Sequence, residues 1–385
     1  MQYKGLKLAI IGASYLQAPL ILKAKEMGIE THVFAWAAND VGESLADYFY
    51  PISIVEKEQI LEKCREINID GICSIASDLA MITVNFVAQA MGLTSNSLAC
   101  TEVSTNKHLM RQRFEECNDP SPRSYWVSDV AEAMKCPLTY PAIVKPVDRS
   151  GSRGITKIYS GDELESAIAV AKAEGFDQHV LVEEYAEGDE YSVEYISWKG
   201  KHQFLALTKK YTTGAPHFIE TGHIQPADVS DELLTKVKQV VDHALSSLGI
   251  EFGASHTELK IDSDETIRLI EIGGRMGGDF IGSDLVQLST GYDFVKAVID
   301  VALGCEPQRP KPGETHTAAV RFIMNQNDAQ DLERFCLKYS ECVVKYESAS
   351  DFNHEVVDSG TRFGYCVIKE NKMAQTDCAK ALLGR

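Results

Sequence analysis

The sequence lacks the arrangements that mark several common protein classes. Its ten cysteines, scattered from Cys64 to Cys378, form no CxxC pair and no His/Cys cluster at zinc spacing. Zinc-finger and CxxC redox readings therefore fall away, and reduced thiols in a reducing compartment are expected. Cys336 and Cys342, six apart, are the pair whose spacing would allow a disulfide as the lesser alternative. Basic residues are also short: 38 Lys and Arg against 56 Asp and Glu leave a formal net charge of −18. Such a surface is not built for nucleic acid, which needs a positive field. Lysines and arginines gathered in one cleft can still hold a nucleotide. No uncharged apolar run reaches the roughly 18 residues of a membrane span. Met1 to Gly5 runs into a strand-like segment with no charged-then-apolar leader, so no membrane and a cytoplasmic location are expected. The first apolar strand is followed by GASYLQAP and not by GxGxxG, which argues against a nicotinamide-dependent oxidoreductase.

What is present is an ordinary globular composition, 44% hydrophobic and 24% charged. At 385 residues it exceeds one hydrophobic core, so two or three domains are expected. Leu6–Gly12, Thr31–Trp36 and Gly71–Ile75 read as buried strands, with helices over Leu16–Met27 and Leu79–Met91. This alternation predicts a doubly wound parallel α/β domain over residues 1–100. From Pro137 the pattern changes to paired strands: Ala142–Pro146 with Ile155–Tyr159, Val180–Tyr185 with Glu190–Trp198, and Phe204–Tyr211 with Phe218–Gln225. Between them, Ser160 and Glu163 suggest a capping box. Leu164, Ala167, Ile168 and Ala171 form one stripe, and Gly175 is the stop. Pro307, Pro310 and Pro312 mark a boundary, after which residues 311–385 read as a small α+β lobe containing the strand GYCVI.

Four segments carry chemistry. Lys145 ends an apolar strand facing Ser150, Gly151, Ser152, Arg153 and Gly154. Such a loop is either a plain hairpin turn or a mobile cradle for phosphate oxygens. Glu183, Glu184, Tyr185 and Ala186 leave a strand, with Glu190 seven residues beyond Glu183. A strand end can offer backbone groups to an adenine edge and a carboxylate can accept ribose hydroxyls, although a charged surface strand reads the same way. Glu258 and Glu271 lie on two strands around a turn at Asp262–Glu265, so they can face each other. Two facing acids with no lysine between them favour a cation such as Mg²⁺, which takes oxygen ligands. Arg275, set among Gly273, Gly274, Gly277 and Gly278, offers a planar fork to a phosphate or carboxylate.

The order and spacing of these pieces resemble the ATP-grasp superfamily, over roughly residues 101–310, preceded by that superfamily's α/β domain. The resemblance implies two α+β lobes gripping ATP, with Mg²⁺ (or Mn²⁺) as the metal. It implies that Lys107 and Lys145 contact phosphates, that Ser150–Gly154 is the lid, and that Glu183–Ala186 lie beside adenine. Glu190 would hold the ribose, Glu258 and Glu271 the metal, and Arg275 the transferring phosphoryl group. The second metal acid is followed two residues later by Gly273, where the family often has Asn. Within the superfamily, Thr212–Ala227 resembles L-amino acid ligases, which implies that Glu220 and His223 lie near amino-acid substrates; His217 is left without a role.

The expected activity is ATP-dependent joining of a carboxylate to an amine through an acyl phosphate. The expected partners are small-molecule substrates, amino acids among them, with a homodimer as the default assembly. Asp279, Ser14 and Asp78 are placed near the substrate by position. The alternatives are an ATP-grasp enzyme activating formate or bicarbonate, and a protein that binds ATP without turnover.

Overall fold

The computed structural model describes residues 3–149, 151, 153–215, 218–311, 313, 315–370 and 378–384. Strands β1 (Lys7–Ile11), β2 (Glu30–Phe34), β3 (Tyr48–Tyr50) and β4 (Gly71–Cys73) form a parallel sheet in the order β3-β2-β1-β4. The run KLAII is buried almost throughout because both faces of β1 are covered. Leu8 and Ile10 face the helices Ala18–Glu26 and Phe294–Ala302, while Ala9 and Ile11 face Lys57–Ile67 and Asp78–Met91. This is the doubly wound domain expected, but one covering helix, Phe294–Ala302, comes from far downstream of the sheet.

The second sheet is antiparallel: β5 (Ser124–Val127), β6 (Ala142–Pro146), β7 (Thr156–Ile158) and β8 (Val180–Glu184), in the order β5-β8-β6-β7. Helix Leu164–Glu174 packs on it through the expected stripe of Leu164, Ala167, Ile168 and Ala171. The capping box does not form. A 3-10 turn over Gly161–Glu163 intervenes, and Glu163 accepts from the Tyr159 amide (3.0 Å) in place of a cap by Ser160.

The third sheet has eight strands: β9 (Asp189–Trp198), β10 (Lys201–Thr212), β11 (Glu220–Gln225), β12 (Phe252–Ile261), β13 (Ile267–Gly273), β14 (Thr317–Phe322), β15 (Val343–Ser348) and β16 (Gly364–Glu370). Their order is β13-β12-β9-β10-β11-β14-β16-β15. The expected pairing of β8 with β9 is therefore corrected, since they belong to different sheets and Tyr185–Gly188 crosses between them. The C-terminal strands continue the large sheet through β11–β14 pairing, around a core of their own formed with helices Gln326–Lys338 and Cys378–Leu383. The ten cysteines are free. Cys336 lies near Cys366 (3.8 Å) and Cys342 near Cys378 (3.0 Å), so the Cys336–Cys342 pairing does not occur. Among the described residues no helix is long and apolar enough to cross a membrane.

Candidate functional site

Alternation along the large sheet decides which side chains can do chemistry. In β9, Tyr191, Val193 and Tyr195 enter the apolar core, so Glu190, Ser192 and Glu194 must point the other way. Register then builds a polar face. Lys210 stands opposite Glu190 on one side and His223 on the other. His256 stands opposite Glu194, and Glu258 opposite Glu271.

This face and the four-stranded sheet enclose a cleft. It is lined by Lys107, Lys145, Gly151, Arg153, Glu183, Glu184, Tyr185, Ala186, Glu190, Glu258, Glu271 and Arg275, all singled out from sequence. Gly154 is not on its wall; it packs at a turn (φ +67°) against Pro146 and Glu174. Ser150, Ser152, Pro312 and His217 lie outside the described residues. The ring of Tyr185 is flanked by Lys157 (3.3 Å to the centroid) and Lys260 (4.9 Å).

The charges in the cleft are paired in ways the sequence did not announce. Glu183, on the hinge side of the cleft, has its side chain fully engaged. It is buried in ion pairs with Lys145 and with Arg111 (3.2 Å). Burial pushes its carboxyl up, but Arg111 and Lys145 outweigh that and leave it below the usual range. Burial, reinforced by the neighbouring Arg111 and Lys107, lowers the Lys145 ammonium despite Glu183. The two facing acids do have lysines. Lys107 Nζ donates to Glu271 (2.7 Å) and to the Arg149 carbonyl (2.7 Å), and Lys210 Nζ donates to Glu258 (2.6 Å). Lys210 also reaches Glu190 (3.1 Å) and Glu220 (3.6 Å). Burial opposes charge on Lys210, yet the carboxylates Glu258, Glu190 and Glu220 raise it well above its ordinary value.

Glu258 and Glu271 suit a magnesium ion: both carry oxygen donors only, and they are register partners at the cleft wall. A third ligand at position 273 would meet the paired side chains of Asp78 and Arg275. A Cβ there would come within 2.6 Å of Asp78 Oδ1 and 3.2 Å of the Arg275 guanidinium. A side chain there would have to displace the Asp78 carboxylate and crowd the Arg275 guanidinium, which occupy that space. Arg275 donates from Nε to Asp78 Oδ1 (2.9 Å) and from Nη2 to Oδ2 (2.8 Å). Asp78, expected at the substrate, pairs with this arginine.

A second cleft of about 540 Å³ adjoins the first and shares Gly151, Arg153, Glu220, His256, Glu258 and Arg275 with it. Lys210, His223, Ser14 and Asp279 line it as well. His223 is fully buried, and among the described residues neither ring nitrogen has a hydrogen-bond partner. Burial, then Lys210, push it down to about 3, so it is neutral. Glu220 accepts from Ser359 Oγ (2.6 Å). Asp279 is engaged by Arg362 (2.6 and 3.0 Å), and Ser14 Oγ donates to Gln17 (2.7 Å).

Residues 138–284 match the ATP-grasp domain family. Among curated relatives, alanine–anticapsin ligase of Bacillus subtilis is 27% identical over 71% of this chain and 65% of its own length. Carnosine synthase 1 of Homo sapiens is 23% identical over 84% of this chain and 43% of its own. The matches thus span under two thirds of the first and under half of the second. Among solved structures, an L-amino acid ligase from Bacillus licheniformis shares the fold with a TM-score of 0.83, at 22% identity over 99% of this chain and 97% of that one.

Sequence reasoning missed several residues that the fold brings to the clefts. Arg111 had a signal, because Lys107, Met110, Arg111 and Phe114 form one buried helical stripe containing two cations. Lys210 and His256 sat on the inward phase of their strands, two residues from Thr208 and Glu258. His256 bridges Glu194 through Nδ1 and Glu258 through Nε2 (3.3 Å). Burial lowers its proton affinity, but Glu194 and Glu258 win and raise it to about 9. Gly277 serves the same group: its amide donates to Glu194 (3.1 Å), and a Cβ there would meet His256 Nδ1 at 2.6 Å. Arg362 had no local signal, since it arrives from the C-terminal segment.

Proposed function

We propose that this protein is an ATP-dependent ligase that joins a carboxylate to an amine through an acyl phosphate, with L-amino acids as substrates. The observation that carries the reading is the sharing of one charged floor by two clefts. Glu220, His256, Glu258 and Arg275 line both, so a nucleotide in the first would present its γ-phosphoryl to a carboxylate in the second.

In the first step the substrate carboxylate attacks the γ-phosphorus and the bond to the β–γ bridging oxygen breaks, releasing ADP. In the second the neutral amine attacks the acyl carbon, the bond to the phosphate oxygen breaks, and the proton shed by the nitrogen leaves with the phosphate or passes to solvent. Lys107, Lys145 and Arg153 supply positive charge along the phosphates, and Arg275, held by Asp78, faces the charge that develops between the clefts. Mg²⁺, held by Glu258 and Glu271, would neutralise phosphate charge when bound. Glu220 is placed to hold the ammonium form of the amine. His223, neutral and without a partner among the described residues, is a hydrogen-bond acceptor for it. The loop at Gly151 and Arg153 borders both clefts and is placed to exclude water from the acyl phosphate.

The names of alanine–anticapsin ligase and carnosine synthase support an amino-acid substrate over formate or bicarbonate. The test is phosphate release from ATP and Mg²⁺ across a panel of L-amino acids, singly and in pairs, with Glu271→Ala as control. Release with particular pairs, lost in the variant, is the expected result. Release with bicarbonate or formate and no amino acid would refute the substrate class.

A further inference from the structure

We infer that the second cleft selects an amino acid with a bulky apolar side chain, and that Trp36 seats it. The inference rests on the ligase reading above and names a substrate class for the same site. Strand order β3-β2-β1-β4 places the parallel sheet's reversal of direction between β1 and β4. In open α/β sheets the crevice at the carboxyl ends of such strands is the natural ligand seat. The second cleft lies there, bordered by Gly12–Gln17 after β1, Ala35 and Trp36 after β2, and Ala76 and Ser77 after β4.

That crevice is held rigidly. Gln17 Nε2 donates to the Ile75 carbonyl (2.7 Å) while its Oε1 accepts from the Ser14 amide (3.1 Å), tying the two loops together. Ala76 adopts a left-handed backbone (φ 59°), and its amide donates to the Met276 carbonyl (3.1 Å), next to Arg275. A non-glycine residue keeps such a conformation only where its surroundings hold it there.

The two walls differ in chemistry. One carries Glu220 and His223 on the polar sheet face. The other presents Tyr15, Leu16, Trp36 and Leu79. Trp36 is 71% exposed, Tyr15 48% and Leu79 39%, so three large apolar side chains converge on one cavity. Asp40, the charged side chain on that wall, stands at the N-cap of Val41–Leu45. An amino acid held at its polar end by Glu220 and His223 therefore lays its side chain on this wall. An apolar side chain gains there by removing facing area from water, and an indole gives the largest such area.

The test is calorimetric titration of L-Phe, L-Leu, L-Ala, L-Glu and L-Lys into the protein with Mg²⁺ and a non-hydrolysable ATP analogue, alongside phosphate release with amino-acid pairs. L-Phe or L-Leu should bind most tightly. Trp36→Ala should weaken that binding about tenfold, with the affinity for the nucleotide analogue kept, and Trp36→Phe should restore most of it. Preference for L-Ala, L-Glu or L-Lys, or apolar binding equal in Trp36→Ala and the parent, overturns the inference. Trp36-dependent binding without phosphate release from any pair overturns the ligase reading and leaves the apolar seat standing. Phosphate release restricted to small or charged pairs does the reverse. Absence of any amino-acid binding overturns both.

Discussion

Lys210→Met isolates the electrostatic core of the site. The ammonium is buried among Glu258, Glu190 and Glu220 at 2.6, 3.1 and 3.6 Å. At an effective dielectric of about 20, each contact has a gross attraction of roughly 5 to 6 kcal/mol. Most of that is offset by the cost of taking the charges out of water, and removing one partner of a buried pair typically costs about 3 to 5 kcal/mol. The three carboxylates keep some contact with solvent, so the lower figure, about 3 kcal/mol, applies. Urea unfolding of parent and variant should show this loss in ligand-free protein. Saturating Mg²⁺ and ADP should then stabilise the variant more than the parent, because a new cation restores neutrality beside Glu258. The sign with pH follows. Lys210 has its folded-state pKa raised, so its contribution is full below the unfolded value of about 10.4 and is lost only as pH rises beyond that. Burial pushes Glu258 up, but Lys210 and His256 hold it well below the usual range, so its share is present above about pH 4.3 and lost on acidification. A variant as stable as the parent at pH 7, or one indifferent to Mg²⁺ and ADP, would refute this account.

Other changes probe separate parts. Gly273→Asn should not improve metal binding; crowding against Asp78 and Arg275 should cost about 1 to 3 kcal/mol in unfolding and lower turnover, read by calorimetry and phosphate release. Glu183→Gln leaves Lys145 and Arg111 facing each other in a buried site, so a stability loss of about 3 kcal/mol and weaker ATP binding are expected; titration with an ATP analogue checks the second point. For His223, burial and Lys210 put the folded-state pKa at about 3, below the unfolded value near 6.5. The resulting stability is present above pH 6.5 and falls by about 2 kcal/mol at pH 5, so the stability difference between parent and His223→Gln should shift in the variant's favour between pH 8 and pH 5.

Local patterns were legible wherever one element's periodicity decided burial. The run KLAII, the stripe Leu164–Ala171 and the alternation of β9 set strand, helix and sheet face without knowledge of the partner. The order of Lys145, Glu183, Glu258, Glu271 and Arg275 likewise pointed to a single cleft, because each lies on a strand or just beyond one. Sequence could not say which charges neutralise one another. Lys107 meets Glu271 across 164 positions and Arg275 meets Asp78 across 197, and such pairings depend on how sheets and helices dock. For the same reason Glu183 and Asp78 look like free ligands in the sequence and become fixed supports in the fold. The second cleft belongs wholly to tertiary structure, since the turns after β1, β2 and β4 meet β11 and the Ser359–Gly360 segment only when two separate sheets share a core.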